Sequence, residues 1–186
     1  MNKELLRREF ILQRKQLTVD QCKNLSLQAA QQLFSSQIYQ NSQHVACYLS
    51  VNNELDTKQI IKRILEDNKN CYLPVIHPED KSMVFVAYRA GDELQKNKYG
   101  IEEPILAKAK LLADLDLLLA PLVAFDRKGN RLGMGAGYYD RALANKGPKP
   151  FYCGLAYAFQ ESDILKKESW DISLQAIVTE SEMILV

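Results

Sequence analysis

The opening of the chain is patterned for helices. Leu5, Leu6, Phe10 and Leu12 recur near helical spacing, the pattern breaks at Leu17-Thr18, and Leu25, Ala29 and Leu33 resume it. Thr18 with Gln21 three residues later reads as a capping box, so residues 2–34 are expected to form two helices meeting there. Compact apolar runs follow, each short enough for a strand: residues 44–50, 70–75, 82–88, 115–122, 151–156, 176–179 and 183–186. The run at 115–122 is almost unbroken, as in the middle of a parallel sheet. Ile60, Ile61 and Ile64 mark a helix that Asp56 or Thr57 can cap, and a further helix is expected from about Gly137 to Ala144. Residues 89–113, with Gly91, Gly100 and Pro104, read as loop and as the place for an excursion from the main sheet, without a domain boundary.

Strands alternating with helices predict an α/β fold: one domain over residues 1–186, with a mostly parallel sheet flanked by helices. With 186 residues and 47% hydrophobic content the chain can bury a core that needs no disulfide or metal. Lys plus Arg number 24 against 23 Asp plus Glu, and a net charge of +1 argues against a nucleic-acid partner. Any basic site must be local, which suits a small anionic ligand. Cys22, Cys47, Cys71 and Cys153 form no CxxC pair and read as thiols of a reducing compartment, hence a cytoplasmic protein. The start, MNKELLRREF, has no apolar signal region, and no apolar run is long enough to span a membrane.

Candidate chemistry concentrates in residues 125–141, FDRKGNRLGMGAGYYDR, between the most hydrophobic strand and a helix. The carboxyl end of a parallel strand is where open α/β sheets bind ligands. Gly133, Gly135 and Gly137 let backbone approach a ligand, the helix start attracts phosphate, and Arg131 and Arg141 add positive charge. The loop is neither a Walker A sequence nor GxGxxG, and its glycines also suit a tight structural turn. Asp140 could hold Mg²⁺ or simply complement the helix dipole. Tyr138 and Tyr139 could stack on a flat ligand or pack the junction. Lys3 and Arg7, at i and i+4 on the first helix, could clamp a polyphosphate or form a solvated face. Glu54, following the first strand, could accept bonds from an amidine-like edge or be a plain loop acid. His44 and His77 join no metal pattern, and there is no GxSxG or HExxH sequence.

The stretch from Ala120-Pro121-Leu122 to Arg141, ending Arg-Leu-Gly-x-Gly-x-Gly-Tyr-Tyr-Asp, resembles the signature of the 5-formyltetrahydrofolate cyclo-ligase family. Further landmarks are Lys3-x-x-x-Arg7, Ser50 to Glu54, Tyr99 to Pro104, Trp170-Asp171 and Val178-Thr179-Glu180. Ala136, Gln175 and Ala120-Pro121-Leu122 depart from the pattern, where a bulkier residue, an acid and Pro-Gly respectively are usual. The resemblance implies a Rossmann-like fold related to the ribose-5-phosphate isomerase and CoA-transferase group. It implies conversion of 5-formyltetrahydrofolate to 5,10-methenyltetrahydrofolate with ATP and Mg²⁺.

By the same resemblance, Lys3, Arg7 and the run Arg131, Leu132, Gly133, Met134, Gly135, Ala136, Gly137, Tyr138 and Tyr139 would bind ATP. Leu49, Glu54 and Met134 to Tyr138 would face the folate. Arg131 and Tyr138 would serve catalysis, and Asp140 and Asp171 the metal. A monomer acting on small molecules is expected. The alternatives are another ATP-dependent phosphoryl transferase on this scaffold, and a folate- or nucleotide-binding regulator without turnover.

Overall fold

The computed structural model describes residues 2–77, 79–105, 109–110, 114–144, 147–163 and 165–186. Helix α1 (Lys3–Gln16) ends where Leu17 turns extended, and α2 (Val19–Phe34) starts from the expected cap. The Thr18 hydroxyl accepts from the Gln21 N–H at 3.2 Å, and the Gln21 side chain accepts from the Thr18 N–H at 2.9 Å. The inward stripe of α1 is Leu6, Phe10 and Arg14, at i, i+4 and i+8, whereas Leu5 and Leu12 are exposed. Apolar spacing alone could not choose between these two faces, because the deciding third position carries a charge.

The remaining elements are α3 (Gln37–Gln40), β1 (His44–Ala46), α4 (Lys58–Glu66), β2 (Asn70–His77), β3 (Ser82–Tyr88), β4 (Leu94–Lys96), β5 (Glu102–Pro104), β6 (Ala109–Lys110), β7 (Leu117–Pro121), β8 (Ala124–Phe125), β9 (Arg131–Leu132), α5 (Tyr138–Leu143), β10 (Phe151–Leu155), β11 (Ala176–Val178) and β12 (Met183–Leu185). Strand β1 is shorter than the apolar run at 44–50, because Tyr48 and the residues after it leave the sheet toward the loop carrying Glu54. Thr57 precedes α4 but donates its hydroxyl to the Tyr48 carbonyl, and Asp56 caps instead, accepting from the Lys58 N–H at 3.0 Å. The 89–113 stretch contains the β4–β5 hairpin; its residues 106–108 and 111–113 lie outside those described.

The main sheet runs β12-β11-β10-β7-β1-β2-β3-β6. Strands β11, β10, β7, β1 and β2 are mutually parallel, and β12, β3 and β6 add antiparallel edges. The mostly parallel sheet therefore describes its centre, while β2–β3 is a hairpin rather than a helical crossover. Alternating strand residues face two cores. Val45, Leu117, Leu119, Leu155 and Val178 meet Ala29, Leu33, Ile60 and Ile64 of α2 and α4. Ala46, Leu118, Tyr152 and Ile177 meet Tyr138 and Leu143 of α5. Burial on both faces explains the unbroken apolar run in β7. Leu6 and Phe10 of α1 close a third cluster over Val123, Ala124 and Leu132, which seats α1 against the β8–β9 hairpin.

Asp116 ties the amino ends of the central strands together. Its carboxylate accepts from the N–H groups of Gln43 and His44, both at 2.9 Å, and pairs with Lys149 at 2.6 Å. Burial disfavours its charge, but Lys149 and the two N–H groups outweigh that and hold the carboxyl down at about 2. Asp116→Ala is expected to cost about 1–3 kcal/mol at neutral pH, the scale for bonds to a charged acceptor. The depressed pKa gives the sign: the difference is complete above about pH 4 and fades as pH falls toward 2. Urea denaturation of wild type and variant across that range checks it.

Candidate active site

The parallel strands end on one side of the sheet, and the strand order reverses between β1 and β7. From β1 the chain proceeds through α4 to β2 on one side, and from β7 it proceeds to β10 and β11 on the other. Loops leaving two such strands diverge and leave a crevice between them. A cleft of about 1320 Å³ occupies this place. Its walls carry Lys3 and Arg7 from α1, Leu49 and Glu54 from the loop after β1, the whole run from Arg131 to Asp140, and Asp171. Every residue singled out from the sequence for ATP, folate, metal or catalysis thus reaches one cleft.

The glycine loop is shaped by necessity at two positions. Gly135 has φ +98° and its missing Cβ would lie 3.5 Å from the Arg7 guanidinium; Gly137 has φ +71° and a Cβ there would lie 2.9 Å from Arg141. A side chain would strain the left-handed backbone at both; at Gly135 it would only touch Arg7, whereas at Gly137 it would crowd Arg141. Arg7 fixes the loop from the other side, donating from Nε to the Gly133 carbonyl at 2.8 Å. Helix α5 is only six residues long, and its first intrahelical bond runs from Arg141 to Gly137. The N–H groups of Tyr138, Tyr139 and Asp140 precede that bond at the cleft wall.

Two cations of the cleft are paired with its acids. Arg131, with a side chain 5% exposed, donates to Asp140 at 2.6 Å, and Asp140 also accepts from the Ile172 N–H at 3.2 Å. Lys3 pairs with Asp171 at 3.1 Å and Glu168 at 3.4 Å. The Ile172 contact places the backbone one residue after Asp171 beside Asp140. The Arg131 guanidinium lies 5.4 Å from the Tyr152 ring centroid, while its Nε and the buried Tyr152 hydroxyl make no hydrogen bond.

Across the cleft, Glu54 is almost covered. Its carboxylate accepts from the Val51 N–H at 3.1 Å and faces Arg14 at 3.8 Å. Burial pushes its carboxyl up, against the Val51 N–H and the Arg14 charge. Tyr99, at the tip of the β4–β5 hairpin, meets Tyr138 edge-on with centroids 6.3 Å apart. The hairpin is held by buried Glu103, which accepts from Ile76 N–H at 3.2 Å and Asn97 at 3.0 Å.

Sequence reasoning passed over Arg14 and Glu168, and assigned no part to exposed Trp170 at the cleft wall. Arg14 continues the Leu6–Phe10 stripe at the next i+4 position, but its charge masked that signal.

An α/β protein with one large cation- and glycine-lined cleft at a strand-order reversal belongs to the broad class that binds anionic small molecules there. The sequence model of the 5-formyltetrahydrofolate cyclo-ligase family matches residues 1–180. The chain belongs to that family. It is 39% identical over 174 residues to the 5-formyltetrahydrofolate cyclo-ligase of Escherichia coli strain K12, covering 91% of this chain and 96% of that protein. The Haemophilus influenzae 5-formyltetrahydrofolate cyclo-ligase is 44% identical over 137 residues, 72% of this chain and 73% of that one. The solved 5,10-methenyltetrahydrofolate synthetase of Aquifex aeolicus superposes with a TM-score of 0.87 at 31% identity, covering 100% of this chain and 93% of that structure.

The Arg131–Asp140 pair leads to an asymmetric prediction. Asp140→Ala strands a nearly buried guanidinium and is expected to cost about 3–5 kcal/mol. Arg131→Met strands only a carboxylate that is 21% exposed and should cost clearly less. Chemical denaturation of both variants decides it; equal losses would mean that the pair is not the main partner of Arg131.

Proposed function

We propose that the protein closes the ring of 5-formyltetrahydrofolate, using ATP, to give 5,10-methenyltetrahydrofolate, ADP and phosphate. The observation that carries this reading is the convergence in one cleft of every residue the family resemblance assigns to either substrate. The volume supports it too: about 1320 Å³ exceeds the roughly 300–1,000 Å³ usual for one drug-sized ligand, leaving room for two.

In this reading the phosphates lie along Lys3, Arg7 and Arg131, over the bare backbone from Gly133 to Gly137. The formyl oxygen attacks the γ-phosphorus as the bond to ADP breaks. N10 then attacks the activated carbon and gives up its proton, and the oxygen leaves with phosphate, which can take that proton. No protein nucleophile is required; the thiols of Cys47 and Cys153 are pushed up by burial and stay protonated. The chain's task is alignment and charge neutralisation. Arg131 divides its charge between Asp140 and the cleft. The Tyr138 hydroxyl, pushed up by its contact with Tyr99, is a neutral phenol that can donate. Glu54 and Leu49 take the folate, with Glu54 accepting from the donor edge of the pterin.

Asp140 and Asp171 are the residues suited to Mg²⁺, which takes one or two carboxylates together with substrate phosphates and would supply charge neutralisation there. Their chemistry fits, both lie at the wall of the same cleft, and each has one oxygen outside the ion pairs described above. The same reading places the fold with the Rossmann-like ribose-5-phosphate isomerase and CoA-transferase group, supported by the parallel centre and the site at its switch point. It makes the chain a single-domain, cytoplasmic monomer; one eight-stranded main sheet supports the single domain, and cysteines that are all free suit a reducing compartment. No described helix is long and apolar enough to cross a membrane.

The direct test is purified protein with ATP, Mg²⁺ and 5-formyltetrahydrofolate, followed by absorbance of the methenyl product. Turnover should require both ATP and a divalent cation; product formation undiminished after verified metal removal would sink the metal assignment. Glu54→Gln should raise KM for the folate about tenfold, the worth of one charge-assisted bond, with ATP affinity nearly unchanged. Titrating each substrate separately tests this, and a collapse of ATP binding with folate binding intact would reverse the two pockets.

A further inference from the structure

Arg14 is the least expected residue of α1. It occupies the inward stripe after Leu6 and Phe10 and is only 1% exposed, although α1 offers solvent on its other faces. Burying a guanidinium is costly unless it is well paired. Here the pairing is thin: Nε and Nη2 have no hydrogen-bond partner, and the nearest carboxylate is Glu54, at 3.8 Å from Nη1. A methionine would fill the same space without that cost, so the charge is not there to hold α1 down.

The loop carrying Glu54 is built toward Arg14. Residues 51–54 form a tight turn closed by the bond from the Glu54 N–H to the Val51 carbonyl at 2.9 Å. Both central residues are left-handed, Asn52 at φ 52° and Asn53 at φ 54°, the geometry of a type I′ turn, which asparagine tolerates better than other side chains. Asn53 ties the turn to α1 by donating to the Arg14 carbonyl at 3.1 Å. Tyr157 donates to the Glu54 carbonyl at 3.3 Å. The other titratable groups facing Glu54 are the hydroxyls of Tyr48 and Tyr139, both pushed well up by burial and therefore neutral. Arg14 is thus the cation that the surroundings of Glu54 supply.

We propose that Arg14 is the positioning residue for Glu54, its buried positive charge fixing that carboxylate at the cleft wall as an anion ready for a cationic or donor-rich ligand edge. This rests on the reading that Glu54 meets the pterin. Arg14 itself does not line the cleft and touches no substrate. Without its charge, only the Val51 N–H would oppose burial, and the balance at Glu54 would move toward the neutral acid, which presents a proton where an acceptor is needed.

The test measures binding of 5-formyltetrahydrofolate and of ATP, separately, by calorimetry from about pH 6 to about pH 9. The variants are Arg14→Met, Arg14→Lys, Glu54→Gln and the double variant Arg14→Met/Glu54→Gln. Arg14→Met leaves the covered Glu54 without its cation and should lose some stability, and it should bind the folate about tenfold more weakly at neutral pH, with ATP affinity unchanged. Because loss of Arg14 raises the pH at which Glu54 ionises, the deficit should shrink as pH rises, while that of Glu54→Gln should not. The double variant should be no weaker than Glu54→Gln alone. Arg14→Lys, which keeps the charge, should retain folate affinity within about threefold and also serves if Arg14→Met fails to fold. Three results would overturn the proposal: folate and ATP affinities lost together, a deficit independent of pH, or additive losses in the double variant. If Glu54→Gln leaves folate binding intact, the pterin reading fails, and this inference fails with it. If Glu54→Gln weakens folate binding and Arg14→Met does not, only this inference fails.

Discussion

The parallel pairing of β1 with β7 is the constraint on which the rest of the structure depends. The two strands pair at Val45–Leu117 and Ala46–Leu118, and the chain departs from them in opposite lateral directions. Any loop leaving β1 and any loop leaving β7 must then flank the same crevice. Glu54 and the glycine-rich run, distant in sequence, become opposite walls of one cleft for this reason. The tie made by Asp116 at the amino ends of the same strands lies on the far side of the sheet from that cleft, so the register can be secured without occupying the site.

Within and just behind the cleft, several charges are stored in pairs. Arg131 is held by Asp140, Lys3 by Asp171 and Glu168, and Arg14 stands behind Glu54. A nearly buried arginine or glutamate left alone would be costly, and pairing makes the site compatible with a folded protein. It also means that an anionic ligand exchanges partners with groups already in place. Long side chains on α1 can take part because Leu6 and Phe10 seat that helix over Val123, Ala124 and Leu132, beside the glycine loop.

Much of the fold was legible from local signals. The helix break at Leu17-Thr18 was visible because a capping box is a contact within four residues. Strand β3 coincided with the apolar run at 82–88. The end of β1 was not visible, since Cys47 to Ser50 remain apolar enough for a strand and only the route to Glu54 takes them out of the sheet. The β4–β5 hairpin was missed because it depends on Glu103 reaching Ile76 and Asn97, a contact that leaves no periodicity in the chain. The true inward face of α1 was hidden by the charge at Arg14.

By itself the sequence determined the elements whose stability is local, the doubly buried character of β7, and the residue types of the candidate site, since hydrophobic period, cap chemistry and a glycine-rich motif are written in short stretches. Tertiary structure alone decided which acid faces which base. Asp140 could have been a free metal ligand or a helix-end charge, and Lys3 a solvated surface residue. The pairing of Lys3 with Asp171 joins segments 168 residues apart, and Asp140, only nine residues from Arg131, takes a further bond from the more distant Ile172 N–H. The physical reason is range: periodicity and capping act over a few residues, whereas desolvation and ion pairing depend on what the fold places within a few ångströms.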